Sequence, residues 1–215
     1  MSSELSEIIL LSLQVSGTAL AFSTLIGVPL GVTMGLKRFI GRKLVMALLY
    51  TGMGFPPVVI GLFVYLLLSR SGPLSTLDLA FLPQLFTPAA MVVAQTIIAF
   101  PLVAGFTMAA VLGVNPALRQ QVLSLGATQR QAAWAVVREA RIGVIASIVA
   151  GFGSIISEVG AVVLVGGDID GRTRVLTTAI VLETRKGNFD LALALGGVLL
   201  GLSFVSNLAL LRLQG

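Results

Sequence analysis

Glu158 is the residue whose type and surroundings most directly suggest chemistry. It is the only acidic residue well inside one of the long apolar stretches of the chain. An ionisable side chain in such surroundings is costly and is often functional. Two interpretations stand equally: Glu158 is a gate or pathway residue, protonated or paired with a cation, or it fastens one helix to another through hydrogen bonds.

Pro56 and Pro57 form a proline pair inside another apolar stretch. Such a pair removes backbone hydrogen bonds and forces a helix to kink or break. In a membrane, the freed carbonyl groups must be satisfied by protein or by a water-filled cavity. We therefore favour a kink that lines a pathway, with a bend that only shapes the helix as the alternative.

Composition excludes most catalytic chemistry. The chain has no cysteine and no histidine, so disulfides, thiol chemistry, zinc sites and histidine acid–base catalysis are ruled out. It also lacks the Gly-x-x-x-x-Gly-Lys-[Ser/Thr] loop that cradles nucleotide phosphates, so the chain has no such nucleotide-binding site of its own. We predict no catalytic residue, no metal site and no enzyme activity.

The elements that must position these residues are membrane-spanning helices. Of the 215 residues, 56% are hydrophobic and only 11% are charged, whereas a soluble domain is about a quarter charged. We predict an all-α, multi-pass transmembrane bundle that forms one domain over residues 1–215. Five apolar stretches are long enough to span a bilayer, and they run over Ile8–Leu36, Leu44–Ser69, Pro88–Leu112, Ile142–Val165 and Leu191–Leu211.

Charged residues predict the orientation of the chain. Nine of the 14 basic residues lie in the loop after the first stretch, in the connector after the third, and at the tail. The opposite side carries five basic residues and seven acids, Asp78 among them. Because basic loops stay in the cytoplasm, we predict an outer N-terminus and a cytoplasmic C-terminus. This topology accounts for the net charge of +5 without a nucleic-acid partner.

Small residues recur at four-residue spacing in three of the stretches. Such stripes let helix backbones approach closely in lipid, so we expect them to be packing surfaces. They comprise Gly27, Gly31 and Gly35; Ala146, Ala150 and Ser154, with Gly153, Ser157 and Ala161 beside them; and Gly197 and Gly201.

The connector 113–141 contains signals for two short helices. Asn115-Pro116 is a helix start, with Asn as cap and Pro in the first turn. Gly126 is placed to end that helix in the left-handed conformation. Thr128 and Gln131 form a capping box that starts a second helix. We call these two short helices and the glycine between them, within residues 113–141, the knuckle. A rigid unit of this kind suits a membrane protein that is moved by a soluble partner.

The run Gln120–Thr128 resembles the "EAA" cytoplasmic loop of binding-protein-dependent ABC importer permeases. The family consensus is Glu-Ala-Ala, three residues, Gly, nine residues, then Ile-x-Leu-Pro. This sequence keeps Gly126, Ala127 and the aliphatic Val136, and departs from the consensus at Glu-Ala-Ala and at Leu-Pro. The resemblance implies that the residues contacting the ATPase are Arg119, Gln120, Gln121, Leu125, Gly126, Ala127 and Thr128.

Two further stretches are similar to the molybdate-type branch of this family, and most similar to its tungstate permeases. Gly54–Gly61 resembles the Pro-Pro-Val-Val segment of the second helix. Ser157–Ala161 and Gly166–Thr173 resemble the Ser-Glu-Phe-Gly-Ala and Gly-Asn-Ile-Pro-Gly-x-Thr segments. The residues expected at the pathway or gate are Pro56, Pro57, Ser157, Glu158 and Gly160.

The resemblance also implies partners and cargo. A homodimer would enclose the route, and a cytoplasmic ATPase dimer would bind ATP and Mg, because this chain binds no cofactor. An extracytoplasmic binding protein would deliver an oxyanion, tungstate before molybdate or sulfate, across the inner membrane. A bare Glu158 carboxylate would repel such an anion.

The outer loop before the fifth stretch has two interpretations. It could be a basic mouth or a solvated surface that touches the binding protein, and we favour the second because its net charge is zero. A short interfacial helix is expected over Val175–Leu182. The charged residues are Arg172, Arg174, Arg185 and Lys186, against Asp168, Asp170, Glu183 and Asp190.

Three other functions are open at this stage. An ion-coupled secondary transporter that uses Glu158 would work without an ATPase, but it leaves the jointed connector unexplained. An intramembrane enzyme would have almost no catalytic groups to use. A non-transporting membrane scaffold is opposed only by the proline pair, Glu158 and the family resemblance.

Overall fold

The computed structural model describes residues 2–73 and 82–214, and Asp78 therefore lies outside the described residues. Within these ranges the chain is all-α and contains ten helices. The helices are α1 (Ser2–Leu36), α2 (Arg42–Met53), α3 (Pro57–Leu68), α4 (Pro88–Leu112), α5 (Pro116–Ser124), α6 (Gln129–Glu139), α7 (Arg141–Ile156), α8 (Gly160–Gly166), α9 (Leu176–Arg185) and α10 (Phe189–Gln214).

The predicted multi-pass helical bundle is confirmed, with three to five candidate membrane crossings among the described helices. Three described helices, α1, α4 and α10, are each long and apolar enough to cross a bilayer. The count rises to five when each of two bent helix pairs, α2 with α3 and α6 with α7, is taken as one crossing. The composition thus yields the predicted polytopic bundle.

A parallel pair, α1 and α4, forms the centre of the bundle. The glycine stripe of α1 faces successive turns of α4, so the two helices run in the same direction. A Cβ on Gly31 would lie 2.5 Å from the carbonyl oxygen of Ala104, and one on Gly35 would lie 2.5 Å from a methyl of Val111. The Ser23 hydroxyl adds a hydrogen bond to the carbonyl of Thr96 (3.1 Å). The predicted packing role of this stripe is confirmed.

Several positions of the other small-residue stripes are open among the described residues. Among the described residues, nothing lies within 4 Å of a Cβ built on Gly153, Gly197 or Gly201. Ala150 is also exposed. The expectation of packing surfaces therefore holds inside the chain for the α1 stripe and for Ala161, which is buried, whereas the open positions of α7 and α10 are available to a second chain.

The fourth predicted span, Ile142–Val165, is not one helix, so that prediction is wrong. Its helix α7 ends at Ile156, and α8 starts only at Gly160. The carbonyls freed at this break are satisfied by side chains from α4 and α9, which the local sequence does not reveal. The second predicted span is broken as well, and α2 and α3 meet at 103° on either side of the proline pair.

The expected helix over Val175–Leu182 exists as α9, but it is not interfacial. Its first turn, Leu176–Ala179, is buried. The amide of Leu176 donates a hydrogen bond to the hydroxyl of Ser12 in α1 (2.8 Å). This helix is therefore part of the core that α1 and α10 build at that end of the molecule.

Candidate functional site

The connector folds as the sequence predicts. The side chain of Asn115 accepts a hydrogen bond from the amide of Ala117 (2.9 Å) and caps α5, with Pro116 in the first turn. Thr128 caps α6 in a capping box, in which the Gln131 side chain accepts from the Thr128 amide (2.8 Å). Both helix starts are thus encoded by local side chains.

Gly126 forms the joint between α5 and α6. Its φ is +88°, which is the left-handed region that favours glycine. The Gly126 amide donates to the Leu123 carbonyl (3.0 Å), and the Ala127 amide donates to the Val122 carbonyl (3.3 Å). This pair of bonds is a Schellman motif, which closes the end of α5 and reverses the chain.

Two sets of contacts make the knuckle rigid. The guanidinium of Arg119 donates to the side-chain oxygen of Gln129 (2.6 Å) and ties α5 to α6. Behind them, Val136 and Ala140 form a buried cluster with Val111 at the end of α4. Leu36, at the end of α1, packs against the same cluster. A push on the knuckle would therefore be transmitted directly to the α1–α4 pair.

The residues predicted to contact the ATPase lie on the outer surface of this knuckle. All of them are exposed except Ala127, which is half-buried. Leu125 is 87% exposed although it is apolar. The set comprises Arg119, Gln120, Gln121, Leu125, Gly126, Ala127 and Thr128.

Sequence reasoning missed Trp134, a further exposed residue of α6. Trp134 is 62% exposed, and the guanidinium of Arg138 lies 5.4 Å from its ring centre in a cation–π arrangement. The available signal was its composition, since this is the single tryptophan of the chain and it lies in a polar cytoplasmic segment. An exposed aromatic of this kind is a common anchor at protein interfaces.

The first break separates α2 from α3. Gly54 ends α2, and Pro56 and Pro57 stand at the cap and first position of α3. The amides of Val59 and Ile60 both bond to the Pro56 carbonyl (2.9 and 3.3 Å). The proline pair therefore starts a helix and does not merely bend one.

The second break, Ser157–Val159, is held by side chains from three directions. The Glu158 carboxylate accepts from the Ala161 amide (3.0 Å) and so caps α8. The Thr177 hydroxyl of α9 donates to the Glu158 carbonyl (2.9 Å). The Gln95 side-chain amide of α4 donates to the Ile155 carbonyl (3.0 Å). Ser157 is exposed and turns its hydroxyl back to the carbonyls of Gly153 and Ser154.

The structure brings the two breaks together. The helices that follow them, α3 and α8, pack on each other at their first turns. A Cβ on Gly61 would lie 2.5 Å from the Cα of Ala161, and one on Gly160 would collide with the Val58 side chain. The expected pathway residues of α3 and α8 therefore belong to one region, although they are a hundred positions apart in the chain.

The outer loop is internally paired. Arg174 contacts the carboxylates of Asp168 (3.4 Å) and Asp170 (2.9 Å). Lys186 contacts Glu183 (2.8 Å), and this hydrogen bond, with a second from Asn188, lowers the pKa of Glu183 from its ordinary value. Two of the four basic residues are thus neutralised in place, which disfavours a basic mouth.

Comparison with known proteins identifies the family of this chain. The family model described as "Binding-protein-dependent transport system inner membrane component" matches residues 27–214. This chain belongs to that family. The permease is therefore an inner-membrane transport subunit and not an enzyme, and in such ABC systems a separate subunit hydrolyses ATP.

Individual relatives extend this result. The permease is 46% identical over 196 residues to a "Probable anion ABC transporter permease protein" of Haloferax volcanii, covering 89% of this chain and 82% of the relative. It is 39% identical over 207 residues to the "Tungstate uptake system permease protein TupB" of Peptoclostridium acidaminophilum, covering 96% and 89%. In fold it is similar to a chain of the inward-facing MetNI methionine ABC transporter, with a TM-score of 0.76 at 18% identity and coverage of 99% and 95%.

Proposed function

We propose that this permease is the membrane subunit of an importer that moves an oxyanion, tungstate in the first place, into the cell. The observation that carries the proposal is its similarity to a tungstate permease over nearly the whole chain, both breaks and the knuckle included. The similarity to a probable anion permease points to the same class of cargo. Molybdate and sulfate permeases are more distant relatives and define the competing substrates.

The unpacked faces of α7 and α10 support assembly as a homodimer. A second copy would cover the small residues that have no neighbour in this chain, and the route would run along the two-fold axis. Close approach of helix backbones at small residues is how helices associate in lipid. Ser157, which is exposed on α7, would then face the route.

Transport would follow from movement of the two knuckles. Each knuckle would dock on one subunit of an ATPase dimer that binds ATP and Mg. Closure of that dimer would draw the knuckles together, and their anchorage on the ends of α1 and α4 would carry the movement into the bundle. Alternating access by rigid-body motion of this kind is a common transport mechanism.

The breaks are suited to a brief hold on an anion. The start of α3 carries the positive end of a 12-residue helix dipole. At α8 the Glu158 carboxylate already occupies an amide, which weakens any attraction there. Tight selection of the anion would therefore belong to the extracytoplasmic binding protein, and the permease would use hydroxyl and amide groups for passage only.

The test is uptake of radiolabelled tungstate and molybdate in a strain without its own oxyanion importers. The permease is expressed with and without its ATPase and binding protein. We expect uptake only when all three components are present, with tungstate preferred. Uptake by the permease alone would overturn the ATP-driven mechanism, and a preference for molybdate or sulfate would reassign the substrate.

A further inference from the structure

We propose that the turn between α1 and α2, residues 37–43, binds the headgroup of an anionic phospholipid in the cytoplasmic leaflet. We call this segment the basic turn. It contains Lys37, Arg38, Arg42 and Lys43 and no acidic residue. Clusters of four or more basic residues directly after a spanning helix are suited to anionic lipid headgroups.

The charges of the basic turn divide into one structural group and three free ones. The Arg42 guanidinium donates from Nε to the Met34 carbonyl (2.8 Å) and so closes the end of α1. Lys37, Arg38 and Lys43 are exposed, and no described carboxylate pairs with them. Three cationic side chains are therefore available to a ligand.

The apolar part of the turn points to a lipid and not to a free anion. Ile40, at the tip, is fully exposed at 104%, and Phe39 beside it is also exposed. Along α2 the exposed Leu44 and Leu48 follow Ile40 at four-residue spacing. A basic cluster continuous with an apolar strip matches the two chemistries of a phospholipid, its phosphate and its acyl chains.

The backbone of the basic turn forms a recess between its basic and apolar side chains. Gly41 has a φ of +90° and lets the chain reverse into α2. Gly41 offers no side-chain cap. The Arg42 amide bonds to the Phe39 carbonyl (3.2 Å), but the next amides in the first turn of α2 are left to meet an acceptor such as a phosphate oxygen. A cleft of about 470 Å³ opens here, lined by Arg38, Phe39, Gly41, Arg42 and Lys43.

The position of the turn fits the membrane boundary. It follows Leu36, which packs in the same cluster as Val136 of the knuckle, so both lie at one end of the bundle. The exposed apolar residues distinguish the basic turn from the knuckle, because the fully exposed Ile40 and the 47% exposed Phe39 are suited to the edge of the hydrocarbon. The inference goes beyond the proposed function and does not depend on which anion is transported.

The test uses the full-length permease in nanodiscs of phosphatidylglycerol and phosphatidylcholine, with retained lipids counted by native mass spectrometry. The variant carries Lys37→Gln, Arg38→Gln and Lys43→Gln, and leaves the structural Arg42 in place. The matched control removes three exposed charges elsewhere, through Arg70→Gln, Arg172→Gln and Arg185→Gln. A second variant, Phe39→Ser with Ile40→Ser, tests the apolar tip, and thermal unfolding in lipid-free detergent checks that each variant is folded.

We expect preferential retention of phosphatidylglycerol that falls by at least about tenfold in the triple variant, and falls also in the tip variant, but is unchanged in the control. Equal loss in variant and control would overturn the site. Displacement of the lipid by millimolar inorganic phosphate would show a free-anion site and overturn the lipid assignment. Protection of residues 37–43 from hydrogen exchange only when the ATPase is added would assign the turn to that partner and equally overturn it.

Discussion

The side-chain amide nitrogen of Gln95 lies 3.0 Å from the carbonyl oxygen of Ile155, and this bond links α4 to the last turn of α7. The Glu158 amide reaches the same carbonyl at 3.2 Å. Gln95 is only 3% exposed, and its other polar atom, Oε1, is buried without a hydrogen-bond partner among the described residues. Burying a polar group without a hydrogen-bond partner costs free energy in a membrane core. The presence of Gln95 here therefore indicates that its hydrogen bond to Ile155 is needed to stabilise the second break.

Replacing Gln95 by Leu should loosen the break. Interhelical hydrogen bonds in membranes contribute about 0.6 kcal/mol on average, and the substitution also removes the unsatisfied Oε1. We therefore expect little change in the unfolding temperature, but about threefold faster hydrogen exchange of the amides in residues 155–161. Gln14→Leu, at an exposed position of α1, is the matched control. Unchanged exchange in the Gln95 variant would show that Thr177 and Glu158 hold the break without it.

Two substitutions of Glu158 distinguish a helix-capping role of this residue from a gating role. Glu158→Gln keeps an oxygen that can accept from the Ala161 amide, whereas Glu158→Ala removes the cap and should cost about 1 kcal/mol of stability. If fastening is the role of this residue, the Gln variant should take up the anion like the wild type and only the Ala variant should melt earlier. A Gln variant that is stable but inactive would instead assign the charge to the gate.

The need for a left-handed conformation at Gly126 can be tested separately from any steric effect of a side chain. Among the described residues, no atom lies within 4 Å of a Cβ built at Gly126, so the cost of a side chain there comes from the positive φ alone. A β-branched residue should cost about 2 kcal/mol locally, whereas Asn tolerates this region. We expect Gly126→Val to reach the membrane in normal amounts but to uncouple ATP hydrolysis from uptake, and Gly126→Asn to transport well. Normal ATP-driven uptake by the Val variant would remove the knuckle geometry from the coupling mechanism.

Gly31 and Gly17 provide a matched pair on α1. A Cβ on Gly31 would lie 2.5 Å from the backbone oxygen of Ala104, whereas no atom of the described residues lies within 4 Å of one on Gly17. We expect Gly31→Ala to destabilise the permease by about 1–3 kcal/mol, and Gly17→Ala to change its stability by less than about 0.5 kcal/mol. Thermal unfolding in detergent measures both. Equal melting temperatures would mean that α1 and α4 can separate without cost.

The knuckle could be predicted residue by residue because its signals are local. Asn115, Gly126 and the pair Thr128 and Gln131 each act within a few positions of themselves, so their types suffice to place helix ends. The effect of the proline pair Pro56-Pro57 on the backbone is equally local. The structure confirms these helix ends, and predicting them required no knowledge of tertiary contacts.

The second break was not predicted because, apart from the local contact of Glu158 with the Ala161 amide, the groups that stabilise it are distant in the sequence. Ser157–Val159 contains no proline, and the apolar run around it is continuous. The groups that satisfy its carbonyls are Gln95, 60 positions from Ile155, and Thr177, 19 positions from Glu158. Burial of α9 has the same origin, since Ser12 lies 164 positions from Leu176. Apolar periodicity carries no information about such partners.

The pairing of α1 with α4 also bears on how the permease is made. The Ser23–Thr96 hydrogen bond joins positions that are 73 residues apart, and at synthesis rates of about 5–20 residues per second this separation takes roughly 4 to 15 s. During that interval α1 stands in the bilayer or beside the insertion machinery with its glycine face uncovered. A nascent chain arrested before α4 should therefore crosslink through Gly27–Gly35 to insertion factors, and lose that crosslink once α4 has emerged.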